Sequence, residues 1–196
     1  MTQEQKILEI IRQAEQSNLI RMAMIGDFGP RILEIANQMS AVIGAGGKLL
    51  IAGNGGSASM ACHFAAEMVV RLTSDRNRQA LPAIALTADT SILTACGNDY
   101  GFDSIFARQV EALGNKGDML LVMSTSGNSE NLVRAVNTAL ERNVIVSALL
   151  GADGGKIGKM LERPFIVPHP STQRIQEEHL FVIHTIVDLV ERDLFA

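Results

Sequence analysis

Cysteine is scarce in this chain. Cys62 and Cys96 are the only two among 196 residues; they build no disulfide framework and read as small buried residues of a reduced protein. Long apolar runs are missing too. "HLFVIHTIVDLV" and "DMLLVMS" are the longest candidates, and both fall short of the ~18–20 residues of a membrane span. The formal charge is −4 and no basic run stands out, which argues against nucleic acid or an anionic membrane as partner. The opening "MTQEQKILEIIRQAEQ" has no basic stretch ahead of an apolar core, so no secretory signal is expected. These absences point to a soluble, cytoplasmic protein.

What is present is apolar residue, 47% of the chain, enough for the core of one α/β domain. Residues 3–25 carry Ile7, Leu8, Ile11, Ile20 and Met22 at helical spacing. "GDFGP" (26–30) predicts a break, with a second helix to about Ile43 that "GAGG" ends. Short apolar runs then alternate with helices: 48–52, 81–86, 118–124, 144–150 and 163–168. Strands apolar throughout, separated by helices, predict a parallel sheet covered on both faces. The loop "TSDRNRQA" (73–80) reads as polar and exposed. A final helix from about Arg174 to Leu194 is apolar nearly all round, so it is buried in a core or against another subunit. With the large N-terminal helices, that predicts an oligomer.

In open parallel sheets, ligands bind beyond the carboxyl ends of the strands. The loops there are "GNGGS" (53–57), "STSGNS" (124–129) and "GADGGK" (151–156). The first two lead into helix N-termini, whose free N–H groups and positive dipole end suit an anion. Ser124, Thr125, Ser126 and Ser129 add hydroxyls without Lys or Arg, which suits the phosphate monoester of a small molecule. The "GK[ST]" of a P-loop is missing. The alternative is that these residues only cap the helix. Gly53, Gly55 and Ala58 fit a dinucleotide G-x-G-x-x-A. The acidic residue that fingerprint needs is misplaced, Asp75 lying too early and Asp89 too late.

"ACHFAAEM" (61–68) puts His63 and Glu67 four apart, on one helical face. They could grip a metal through imidazole and carboxylate or be a satisfied polar pair. Cys62 points about 100° away and cannot share that site. The last helix adds Gln176, His179 and His184 in "RIQEEHLFVIH". Gln176 and His184 are roughly 12 Å of helix rise apart. One rigid helix hardly brings both to one metal unless its start frays or two chains contribute.

"GNGGS", "HFAAE", "GNDYGF", "STSGNS", "DGGK" and "RIQEEHLFVIH" together resemble the sugar isomerase (SIS) domain family, from about Gly47 to the C-terminus. H-x-x-x-E with Q-x7-H is the most specific part, and looks like the branch that isomerises sedoheptulose 7-phosphate for nucleotide-heptose biosynthesis. The resemblance implies a three-layer αβα sandwich with a five-stranded, flavodoxin-like parallel sheet. It implies a single SIS domain over 1–196, whose residues 1–45 form a helical extension used in oligomerisation. It implies a homotetramer with sites at subunit interfaces, the N-terminal helices and long C-terminal helix forming its core.

The site residues it implies are specific. Asn54, Gly55, Gly56, Arg71, Asn98, Asp99, Ser124, Thr125, Ser126 and Ser129 contact the sugar phosphate. His63, Glu67, Gln176 and His184 bind one zinc ion, with Glu67 and Gln176 also touching substrate. Glu67 and His184 are the catalytic base and acid. Gln173 stands where some relatives have Asp. Two other readings remain: a non-catalytic SIS regulator that binds the replication initiator, or an isomerase of another sugar phosphate. Regulators of that kind replace the positions of Glu67 and His184, and both are present here.

Overall fold

The computed structural model describes residues 1–195. Its first element is a single helix, α1, Gln3–Gly44, opened by a reciprocal capping box between Thr2 and Gln5. Here the expected break at 26–30 does not occur, and Pro30 lies inside the helix. A proline costs a helix one hydrogen bond and a local clash. The second half of α1 recovers that by packing Ile32, Ile35, Ala36 and Met39 into the core, since tertiary burial outweighs propensity.

The rest alternates. β1 (Leu49–Gly53) leads to α2 (Gly56–Val69), then β2 (Ala83–Ala85), α3 (Thr90–Asp99), a 3-10 turn (Phe102–Ser104) and α4 (Ala107–Leu113). β3 (Met119–Ser124), α5 (Glu130–Glu141), β4 (Ile145–Gly151), α6 (Gly155–Met160), β5 (Phe165–Val167) and α7 (Thr172–Phe195) complete it. All strands are parallel, in the order β2-β1-β3-β4-β5. This is the predicted α/β sandwich with the flavodoxin-like order, whose switch point lies between β1 and β3.

Alternate strand residues feed two cores. Leu49, Ile51, Met119 and Leu121 face α1, α2 and α7. Leu50, Ala52, Leu120 and Val122 face the helices α3 to α6. The central strands β1 and β3 are wholly buried, which is why they read as unbroken apolar runs. Among the described residues no helix is long and apolar enough to cross a membrane.

Two expectations fail locally. The loop 73–80 is largely exposed, but the side chain of Arg78 is 2% exposed and pairs with Glu191 of α7. Of the cysteines, Cys96 is buried as expected, whereas Cys62 is exposed beside Thr87 Oγ1. A position one residue from the exposed His63 shares its wet side of α2 more than its core side.

Candidate active site

The loops after β1 and β3 flank the switch point and form one cleft of about 290 Å³. Asn54, Gly55, Gly56, Ser124, Thr125, Ser126, Ser129 and Gln176 all line it. Gly53 is required by space, since a Cβ there would lie 2.7 Å from the Ser57 carbonyl, and a Cβ on Gly56 would displace the end of the Gln176 side chain, 2.6 Å away at Nε2. In "STSGNS", Gly127 has φ +63° and its Cβ would meet the Gly154 carbonyl at 1.9 Å. The "GADGGK" loop therefore buttresses the serine loop from behind, and Asn128 Oδ1 accepts from Lys156 N at 3.0 Å across the junction.

The hydroxyls are not consumed as caps. Ser129 occupies the N-cap position of α5, yet its side chain makes no cap bond, and the N-cap of α2 is Gly55. Two helix N-termini thus reach the cleft without side-chain acceptors on their N–H groups. Ser124 Oγ accepts from Gly127 N at 3.0 Å and shapes the loop. The dinucleotide alternative has no acidic partner here: Asp75 is exposed in its loop, and Asp89 caps α3 through Ile92 N at 3.0 Å.

Further along α2 and α7 lies a second group. His63, Glu67 and His184 each offer a ligand atom, all within 4.8 Å of one another. His63 Nε2 is 2.9 Å from His184 Nε2 and 3.1 Å from Glu67 Oε1, and His184 Nε2 is 3.4 Å from that oxygen. The other oxygen, Oε2, is buried and has no hydrogen-bond partner. Two imidazole nitrogens facing each other beside a carboxylate with an orphaned oxygen fit a shared cation. Burial lifts the Glu67 carboxyl above the ordinary glutamate value, His63 and His184 pull it back, and Glu191 adds to the lift.

Gln176 lines the loop cleft rather than joining the three. The remaining residues stand outside both groups in one chain. Arg71 lies past the end of α2, exposed, and donates to the Ser74 carbonyl at 3.2 Å. Asn98 and Asp99 end α3, exposed, with Asn98 donating to Asp99 at 2.7 Å. Gln173 is exposed and accepts from Ser171 Oγ at 2.9 Å. His179, by contrast, is wholly buried and bonds the Leu150 carbonyl at 2.9 Å, a structural histidine.

Sequence reasoning missed Ser57 and Thr172, which also line the cleft. It missed Asn131, buried at the start of α5, which exchanges two 2.9 Å amide bonds with Asn54 and ties the two loops together. Ser57 was visible as the last letter of "GNGGS". Asn131 had no local signal, because its partner is 77 residues away.

A model of the SIS domain matches residues 12–151. A phosphoheptose isomerase from Citrifermentans bemidjiense is 51% identical over 190 residues, covering 97% of this chain and 98% of that one. The solved phosphoheptose isomerase of Neisseria gonorrhoeae superposes with a TM-score of 0.87 at 44% identity, over 94% of this chain and 97% of its own. That of Francisella tularensis gives 0.89 at 37% identity, over 98% and 100%. With the sheet order, the loop cleft and matches of this extent all in agreement, the chain belongs to the SIS domain family.

Proposed function

We propose that the protein is an aldose–ketose isomerase converting sedoheptulose 7-phosphate to D-glycero-D-manno-heptose 7-phosphate through an enediol, the entry to nucleotide-heptose biosynthesis for surface glycans. One observation carries this. α2 and α7 start at the hydroxyl-lined cleft and bring His63, Glu67 and His184 together two to three turns further on. Gly56 to His63 is about 10 Å of rise and Gln176 to His184 about 12 Å. That is about the span of an extended seven-carbon chain from its phosphate to C1 and C2. The names of the full-length relatives agree with it.

In the reaction Glu67 takes a proton from C1 of the ketose and returns one to C2. His184 gives a proton to the C2 oxygen and accepts the one leaving the C1 hydroxyl. A carboxylate lifted by burial is a stronger base than a free glutamate. The serine loop holds the remote phosphate and so fixes the reacting carbons in register. His63, Glu67 and His184 suit zinc, with Gln176 as a further ligand or substrate contact. Bound there, zinc would supply Lewis-acid stabilisation of charge on the substrate oxygens. Arg71, Asn98 and Asp99 serve as substrate contacts in an assembly that brings them to a neighbour's cleft. Residues 1–45 serve assembly into a homotetramer in the cytoplasm, with sites at subunit interfaces.

The test is a substrate panel combined with metal analysis of the purified protein. Aldose formation from sedoheptulose 7-phosphate should outrun that from five- and six-carbon ketose phosphates, with zinc bound. Absence of turnover with the seven-carbon ketose in metal-replete protein would refute the reading.

A further inference from the structure

The C-terminal end of α2 lacks the usual ways of closing a helix. It carries Glu67 in its last turn, yet that turn has no basic residue, and Val70, Arg71 and Leu72 follow rather than a glycine. The last carbonyls of a helix have no partner inside it and form the negative end of its dipole. Arg78 supplies both needs from the following loop. Its Nη2 donates to the Glu67 carbonyl at 2.7 Å and its Nη1 to the Met68 carbonyl at 2.8 Å.

A guanidinium so deeply buried needs a counter-charge, and Glu191 of α7 provides it. Arg78 Nε donates to Glu191 Oε1 at 2.8 Å, and the Glu191 side chain is wholly buried. Glu191 also accepts from Leu72 N at 3.0 Å and from Arg76 Nη1 at 3.1 Å. One carboxylate thus ties the end of α2 and the loop after it to α7. Seven residues before Glu191, two turns back on the same face, is His184. The clasp therefore joins the two helices whose side chains meet where His184 Nε2 lies 3.4 Å from Glu67 Oε1.

We propose that Arg78 and Glu191 are positioning residues for the isomerisation, holding Glu67 in register with His184 by clasping the end of α2 to α7. The inference rests on Glu67 and His184 being the proton-transfer pair. Neither Arg78 nor Glu191 lines the loop cleft, so they act on proton transfer and not on phosphate binding.

Arg78→Lys separates this from a role in stability alone. Lysine keeps the charge for Glu191 but not the planar fork that serves the Glu67, Met68 and Gln79 carbonyls and a carboxylate together. With rates taken per folded protein, kcat for sedoheptulose 7-phosphate falls about tenfold or more, while KM stays within about twofold. The Arg78→Met/Glu191→Met double variant, in which apolar contact replaces the ion pair, gives the same split and serves if the lysine variant does not fold. A parental kcat in either folded variant, or a raised KM with kcat unchanged, overturns the proposal. Glu67→Gln is measured alongside. If it turns over like the parent, the assignment of Glu67 has failed; if it is inactive while Arg78→Lys matches the parent, the clasp alone has failed.

Discussion

Glu67 and His179 are ionisable groups pressed into low-dielectric surroundings, and each is pushed toward its neutral form. The effect is simplest at His179, where burial lowers the pKa to about 4 against the Leu150 hydrogen bond. The unfolded chain takes up a proton near pH 6.5 and the folded one does not until about 4. Stability therefore falls as pH drops through that window. At about 1.4 kcal/mol per pH unit, the loss from this histidine is about 3 kcal/mol. His179→Gln keeps a donor for Leu150 and should flatten that fall, measured by urea unfolding at pH 7 and pH 4.5; an unchanged slope would mean that other groups carry it. At this scale, what could be read from sequence depended on distance along the chain. His63 and Glu67 were legible because one helical turn relates them. His184 by itself was only a polar residue on an apolar helix, and its role came from the resemblance of Q-x7-H to the SIS family. The Arg78–Glu191 pair was invisible, since 113 residues separate its members.

The loops carry the clearest prediction among the elements. Gly127 combines a positive φ with a backbone carbonyl where a Cβ would go. Gly127→Ala must strain the backbone and part the serine loop from the "GADGGK" loop. We expect a loss of at least about 1–3 kcal/mol of stability and a raised KM with a smaller change in kcat, read by urea unfolding and steady-state kinetics. The five strands were legible because β1 and β3 are buried on both faces. The length of α1 was not, because two glycines and a proline spell a break that its contacts with the sheet and α7 override. α4 and α6 span 7 and 6 residues, too few for a period of 3.6 to declare itself.

For the whole molecule, the exposed side of α1 is the outstanding feature. Ile7, Leu8, Ile10 and Ile11 lie open, and Leu19 and Met22 are 70% and 65% exposed. A stripe of this size on one long helix is what the proposed assembly would cover. Sedimentation should give a multiple of the single-chain mass, and Leu19→Glu with Met22→Glu should lower both mass and activity. A parent protein that sediments as one chain would contradict the shared-site account. The apolar excess of α1 was legible in the sequence and is what motivates the assembly proposal, while a place for Arg71, Asn98 and Asp99 was not, because one chain leaves them outside both groups. The central claim, that Glu67 moves the proton between C1 and C2, is tested most directly by kcat of metal-replete Glu67→Gln with sedoheptulose 7-phosphate. The account predicts a fall of about 10²–10⁴-fold with the fold intact; a folded variant that turns over within a few-fold of the parent would contradict it.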